Sequence, residues 1–480
     1  MGETTDADVH RNGLAWLLGG GGSAPCVDGV ERPYVDLDAA ASTGALVEVA
    51  AAVDDFLPGY ASIHRGAGWR SRASTAAYER ARQSILAFAG REDADDVAII
   101  CRNTTEAINH LAFRLGLGPD DVVVTTVVEH HANLLPWRRF AKVRYVECDP
   151  EGTFEPDAVA DALRGNPRPK LFAVTGASNV NGWLPPIDTL IELSHDAGVP
   201  VLVDAAQLAP HRPLPAAADY LAWSGHKMYA PFGSGALVGP RRTFATGDPF
   251  LAGGGAVDLV SLDEVIWNTP PEREEAGSPN VVGAVAFGAA ARALEAIGWR
   301  AIRAHDEHLA SRLRSGLGAI EGVRVLGPDP SVPTLPVASF VVEGVHHALV
   351  AARLAAEWGI GVRHGCFCAH PYLLRLLEMS PTETAAYRDR VRRGDHTHLP
   401  GATRASASIA TSGAEIDRLL DAVRHIAIGA PAPIAYEQDP TTGDYHPIGG
   451  DAHWAGPPAR RLRNRVDQPR CPPADPYDGT

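Results

Sequence analysis

The chain has little of what would place it in a membrane, on a nucleic acid or in a disulfide scaffold. No uninterrupted apolar run approaches the ~18 residues that span a bilayer. The first thirty residues begin acidic (Glu3, Asp6, Asp8) and lack a basic region followed by an apolar one. A cytoplasmic protein without membrane contact is the expectation. Positive charge is in deficit: a formal charge of −15 over 480 residues speaks against a nucleic-acid binder and suits a metabolic enzyme. Cysteine is sparse, with Cys26, Cys101, Cys148, Cys366, Cys368 and Cys471 scattered too thinly for a disulfide framework. Only Cys366 and Cys368 lie close together, and without other ligands nearby they predict no metal site. Lysine and methionine are also scarce, which we read as compositional bias without functional content. No internal repeat is present.

What remains is ample apolar material. With 45% hydrophobic residues the chain can bury a large core, and its length predicts two or three domains. Residues 1–35 read as an irregular arm with one short helical piece at Leu14-Ala15-Trp16-Leu17-Leu18, ended by the glycines at 19–22. Residues 36–298 alternate short β-rich runs with helical segments, and seven runs predict strands: Val97–Cys101, Val122–Thr126, Val143–Val146, Leu171–Val174, Val199–Val203, Ala222–Trp223 and Gly235–Val238. Near-continuous apolar runs between helices indicate an α/β fold with a mostly parallel sheet covered on both faces. A long helix over about 281–317 leads into a smaller α+β C-terminal domain, 299–430. Within it, residues 380–400 are polar and read as a mobile insertion. Residues 431–480, rich in Pro and Gly, read as an extended tail.

Two short stretches carry the chemistry. Asp204 follows Val201-Leu202-Val203, so its carboxylate should emerge at the carboxyl end of a parallel strand, where open α/β sheets bind ligands. Ser224-Gly225-His226-Lys227 follows the next strand. Alone, an Asp after a strand is often a helix cap, and a lone lysine is usually a surface charge. Together they fit a site for pyridoxal 5'-phosphate (PLP), with Lys227 forming a Schiff base and Asp204 holding the ring nitrogen protonated so that the ring acts as an electron sink.

From about residue 34 to 427 the chain resembles the class V, fold-type I PLP-dependent enzymes, and within them the group II cysteine desulfurases and selenocysteine lyases. The landmarks are Ile63-His64-Arg65-Gly66, Thr104-Thr105-Glu106, Glu129-His130-His131, Ser178-Asn179-Val180, Asp204-Ala205-Ala206-Gln207, Ser224-Gly225-His226-Lys227 and Ala276-Gly277-Ser278-Pro279-Asn280. The resemblance implies that Lys227 holds PLP, that Asp204 pairs with its pyridine nitrogen and that Gln207 contacts its phenolic oxygen. It further implies that His130 stacks on the ring and takes part in catalysis, and that Asn179 lies near cofactor and substrate. Thr104, Thr105, Ser224 and His226 would form the phosphate cup. Ser278, in Gly277-Ser278-Pro279, would reach the phosphate of a partner subunit, which implies a homodimer.

The resemblance also assigns the reaction. Arg404 matches the arginine that grips the substrate carboxylate, with Arg363 a second substrate-binding residue. Cys368 matches the nucleophile that takes sulfur from L-cysteine, leaving alanine and a persulfide for an acceptor protein. Neighbouring His364, His370 and Arg363 are expected to favour its thiolate. The expected activity is that of a cysteine desulfurase, a sulfur-transferring transferase. The alternatives are a class V C–S lyase, selenocysteine lyase or epimerase, and, in a different class, a catalytically inactive PLP-fold binding protein. Three departures stand out: Cys366 where histidine is usual, a longer segment between Cys368 and Arg404, and the residues after 430. A Cys-x-Cys loop also occurs in molybdenum-cofactor sulfurases, so Cys366 is open between persulfide relay and inertness.

Overall fold

The computed structural model of the protein describes residues 13–91 and 95–449. Its centre is a seven-stranded sheet built from β1 (Asp96–Cys101), β2 (Val122–Thr126), β3 (Lys142–Val146), β4 (Leu171–Thr175), β5 (Val201–Asp204), β6 (Tyr220–Ser224) and β7 (Gly235–Pro240). The order is β1-β7-β6-β5-β4-β2-β3, parallel throughout except for β7, which runs antiparallel to both its neighbours. β2 and β5 are β-branched and leucine-rich runs, buried along their whole length, as a sheet covered on two sides requires.

The helices are α1 (Val47–Phe56), α2 (Trp69–Phe88), α3 (Thr104–Arg114), α4 (Pro156–Arg164), α5 (Ile187–Asp196), α6 (Val281–Ile297), α7 (Trp299–Gly318), α8 (His347–Trp358), α9 (His370–Leu376), α10 (Pro381–Arg392) and α11 (Gly413–Ala427). Successive strand residues feed two apolar layers. Ile99, Leu171 and Leu202 pack with Ala107, Ile108 and Leu111 of α3, whereas Ala98, Phe172 and Val203 pack with Ile85 of α2 and Phe287 of α6. No single helix among the described residues is long and apolar enough to cross a membrane.

A second, antiparallel sheet follows: β8 (Val323–Leu326), β9 (Val337–Val342), β10 (Arg363–Gly365) and β11 (Ala402–Ser406), ordered β8-β9-β11-β10. Its core joins Phe340 and Ala405 to Leu313 of α7, Leu354 of α8 and Leu419 of α11. Val35 and Leu37 belong to this core too, because Val35–Asp36 pairs in parallel with Ile360–Gly361.

Four expectations are corrected. Leu14–Leu18 is not helical: Leu17 bridges to Leu46, and the backbone N–H groups of Leu14 and Leu18 donate to Ile409 and Ala45. Five residues before a glycine run cannot nucleate a helix, so tertiary hydrogen bonds win. The expected helix over 281–317 is two helices at 82°, broken at Gly298, whose φ of 89° suits glycine. The 380–400 segment contains a regular helix, α10, opened by Pro381 and by a capping box between Ser380 and Glu383. Within the expected extended tail, Tyr436–Gln438 and Tyr445–Pro447 pair as a hairpin. Residues 1–12 of the arm and 450–480 of the tail, with Cys471, lie outside the described residues.

Candidate active site

The ends of β4, β5 and β6 and the start of α3 open on a cavity of about 320 Å³. Thr104, Thr105, His130, Asn179, Asp204, Gln207, Ser224, His226, Lys227, Arg363, Cys368 and Arg404 all line it. Of the expected site residues only Ser278 does not. It lines a separate cavity of about 300 Å³ with Arg65 and Tyr60, beside the hairpin of Val257–Val260 and Val265–Trp267.

At one end Asn103 caps α3 by accepting a hydrogen bond from the Glu106 N–H at 3.0 Å, which leaves Thr104 and Thr105 in the first turn. The Thr104 N–H donates to Ser224 Oγ at 2.8 Å, and the two hydroxyls lie 2.6 Å apart. Hydroxyls at a helix N-terminus suit an anion. His226 lines the same end, and burial lowers its pKa to about 4.

In the middle stand Asp204 and Lys227. Asp204 is 4% exposed; one carboxylate oxygen accepts from the Ala206 N–H at 3.0 Å, and burial raises its pKa. Lys227 closes the single turn Gly225–Lys227 after β6 and makes no hydrogen bond or salt bridge with any described residue. Burial lowers its pKa to about 8, against the pull of Asp204. A buried amine and carboxylate facing one cavity without pairing are costly unless something lies between them. Gln207 donates to the Ala40 carbonyl at 2.7 Å. His130 Nδ1 accepts from the Ala132 N–H at 3.0 Å, so its proton sits on Nε2; burial, then Lys227, lowers its pKa to about 3 and the ring is neutral.

The donor set fits pyridoxal phosphate. It offers an anion cup at Thr104, Thr105 and Ser224, an amine held near neutrality for the aldehyde, and a buried carboxylate short of a counter-ion for the pyridinium nitrogen.

At the other end Arg404, 2% exposed, donates from Nη1 to the Asn179 carbonyl at 2.8 Å and from Nη2 to Asp38 at 3.2 Å. Its guanidinium lies 4.9 Å from the Phe367 ring centroid, and burial lowers its pKa to about 10. Arg363 donates to the same Asp38 carboxylate at 2.9 Å. Asp38 and Phe367 carry roles the sequence did not reveal. Asp38 lies 366 residues from Arg404, and its only local signal is an acid after a short strand.

Cys368 is exposed and sits in a tight turn, with the Ala369 N–H donating to the Cys366 carbonyl at 2.8 Å. Both central residues are left-handed, Phe367 at φ 52° and Cys368 at φ 54°. Strain of this kind persists only where the surroundings impose it. The Asn179 amide donates to the Phe367 carbonyl at 2.7 Å, and the His131 N–H to the Cys368 carbonyl at 2.8 Å. The expected histidine neighbours of Cys368 are engaged elsewhere: His364 pairs with Asp444 at 3.2 Å, and His370 stacks on His131 at 5.0 Å. Neither lines the cavity.

Residues 35–419 match the class V aminotransferase family, and the chain belongs to it. Within that PLP-dependent family its relatives include cysteine desulfurases. A probable cysteine desulfurase of Halobacterium salinarum is 37% identical over 350 residues, 70% of this chain and 83% of that protein. The cysteine desulfurase of Haloferax volcanii is 32% identical over 404 residues, 82% of this chain and 89% of that one. Among solved structures, the apo cysteine desulfurase of Thermococcus onnurineus superposes with a TM-score of 0.73 at 32% identity, covering 82% of this chain and 95% of its own. The cysteine desulfurase of Escherichia coli in its S-sulfonic acid form gives 0.70 at 30% identity, covering 82% and 95%.

Proposed function

We propose that the protein is a PLP-dependent cysteine desulfurase that converts L-cysteine to L-alanine and carries the sulfur on Cys368. The observation that carries this is one cavity combining an unpaired lysine, a buried carboxylate, a buried arginine and an exposed cysteine. Lys227, Asp204, Gln207 and His130 would hold the cofactor, with Thr104, Thr105, Ser224 and His226 at its phosphate. Bound there, pyridoxal phosphate supplies an electron sink that weakens bonds at the substrate carbon next to the amine.

The chain's own groups do the rest. Arg404 keeps one unused N–H on each terminal nitrogen after its bonds to Asn179 and Asp38, and this fork receives the substrate carboxylate. Lys227 Nζ, with a pKa near 8, serves as base for the substrate Cα proton. The neutral His130 keeps a donor, Nε2–H, above the site. Cys368 Sγ forms a bond to the substrate sulfur as the substrate's Cβ–S bond breaks. The carbon keeps the electron pair and is protonated, so the products are alanine and a persulfide on Cys368.

Our reading extends to a cytoplasmic homodimer. The exposed apolar side chains Leu259, Val260, Leu262 and Ile266 flank the cavity that contains Ser278, and a second subunit covering this face would bring that hydroxyl to its own phosphate site. A division near residue 298 into a cofactor-binding and a smaller unit is likewise proposed, supported by the break at Gly298.

The test is to give the PLP-loaded protein L-cysteine and a thiol reductant and to assay alanine, pyruvate and sulfide together. Alanine with sulfide is expected, and Cys368→Ala should abolish both. Pyruvate as the main product, or alanine at the parent rate from Cys368→Ala, would overturn the proposal.

A further inference from the structure

The segment between Cys368 and Arg404 is anchored on the cysteine loop itself. Tyr387 of α10 places its hydroxyl 3.9 Å from Cys366 Sγ, and Cys366 in turn donates to the Pro400 carbonyl at 3.6 Å. The Tyr387 ring stacks on His370 at 6.2 Å, and His370 stacks on His131, whose N–H holds the Cys368 carbonyl. The inner face of α10 is thus the partly buried stripe Thr384, Tyr387 and Arg390, at helical spacing. No residue of α10 is fully buried.

Its outer face is strongly basic. Residues 388–393 read Arg-Asp-Arg-Val-Arg-Arg, four arginines and one aspartate in six positions, in a chain whose formal charge is −15. Arg390 is used inward, donating to the Thr397 carbonyl at 3.1 Å, and Arg392 faces Asp389 at 3.7 Å. Arg388 and Arg393 are exposed and make no salt bridge with any described residue. Surface arginines scattered singly are ordinary. Over residues 388–395 four arginines stand against Asp389 and Asp395, the latter with its pKa lowered by hydrogen bonds from Thr397 and then by the nearby Arg390 and Arg393. The end of the segment that rests against the sulfur-bearing loop is therefore a patch of net positive charge in an otherwise acidic protein.

We propose that the outer face of α10 docks an acidic protein that accepts sulfur from Cys368. The proposal rests on the desulfurase reading. Charge on the rim of an interface steers association and selects partners more than it adds affinity, so the arginines set which acceptor thiols reach the persulfide. An acceptor with acidic residues around its cysteine is drawn to the patch. A basic one is repelled by it, and the −15 of the whole chain gives it no compensating local attraction at this face. Cys366 is a bystander here: its thiol, raised to about 11 by burial, is held between Tyr387 and Pro400 and keeps α10 seated.

The test uses the PLP-loaded full-length protein and two synthetic peptides, each with one cysteine, flanked in one by aspartate and glutamate and in the other by lysine and arginine. Sulfur transfer from radiolabelled cysteine to each is measured beside alanine formation supported by a small thiol. The acidic peptide should be sulfurated with a kcat/KM about ten-fold higher, the equivalent of about 1.4 kcal/mol. The double variant R388E/R393E should erase or reverse that preference and leave thiol-supported alanine formation unchanged. Equal transfer to both peptides, or a preference that survives in the variant, overturns the docking proposal alone. So does equally strong inhibition of acidic-peptide transfer by homopolymeric RNA in parent and variant. Failure to form alanine with the small thiol overturns the desulfurase reading and this proposal with it.

Discussion

Arg404→Lys isolates the carboxylate fork because it keeps the charge and removes the geometry. The guanidinium has five N–H groups in one plane; Nη1 serves Asn179 and Nη2 serves Asp38, at 2.8 and 3.2 Å. Three N–H groups are left for a carboxylate, one on each terminal nitrogen and that of the buried Nε, which has no partner, and all lie in the guanidinium plane. An ammonium has three donors in a tetrahedral array. It can serve Asn179 and Asp38 and offer one bond to the substrate, or serve the substrate and leave the buried Asn179 carbonyl unpaired. Either way about one charge-assisted hydrogen bond is lost, worth roughly 1.5–3 kcal/mol. At 1.4 kcal/mol per decade, KM for cysteine should rise about 10- to 100-fold.

This binding is the same before and during reaction, so kcat should change by only about two- or three-fold. The assay is alanine formation against cysteine concentration in parent and variant, with thermal melts to check that the loss of the Phe367 contact leaves the fold intact. Cysteamine, which is cysteine without its carboxylate, is the control. Its inhibition constant should be the same in both proteins. A KM within three-fold of the parent refutes the fork, and equal weakening of cysteine and cysteamine shows that the variant has merely distorted the cavity.

Covalent capture of PLP by apoprotein should report the depressed Lys227 pKa of about 8, since only the neutral amine reacts. Its rate should be level above about pH 8 and fall about ten-fold per unit below it, followed by absorbance; a rate still climbing to pH 10 would show an ordinary lysine. Glu275 accepts from Arg82 at 2.8 and 3.0 Å, from the Ile100 N–H at 2.7 Å and from Tyr78 at 2.7 Å, all largely out of water. Glu275→Gln removes one charge of a buried pair and should lower unfolding stability by roughly 3–5 kcal/mol, measured by denaturant titration. At position 367, where φ is 52°, glycine should be more stable than alanine by about 1 kcal/mol, because both truncate the ring and only alanine is strained by its Cβ. Alanine equal to glycine there would mean the turn relaxes.

That Asp204 and Lys227 would meet in one cavity was legible because both are local events on strands. Asp204 is the last residue of β5 and Lys227 follows the end of β6, so an apolar run in the sequence announces each of them. The seven strands were legible for the same reason. The other end is made by contacts between distant segments. Asp38 meets Arg363 and Arg404 across 325 and 366 positions, and no spacing rule links them. Polar composition marked 380–400 as an insertion but concealed a helix, because its caps, Ser380 and Glu383, stabilise α10 without an apolar face. His364 looked like a thiolate partner by proximity in sequence. In space it turns to Asp444 on the C-terminal hairpin, which no reading of the loop alone could supply.

These long-range contacts have a mechanical consequence. Lys227 and Asp204 are fixed by the large sheet, whereas Arg363 and Arg404 are direct partners on β10 and β11 of the small one. A one-residue slip between those two strands would turn one arginine to the opposite face and dismantle the pair. Asp38 guards against it, since a single carboxylate accepts from both guanidinium groups and is itself held by the short strand Val35–Asp36 beside Ile360–Gly361. The two sheets are then joined at the cavity by three hydrogen bonds: Arg404 to the Asn179 carbonyl, the Asn179 amide to the Phe367 carbonyl, and the His131 N–H to the Cys368 carbonyl. Each ties Arg404 or the turn that carries the Cys368 thiol to the frame that holds Lys227. The position of the carboxylate fork relative to the lysine is therefore set before substrate arrives.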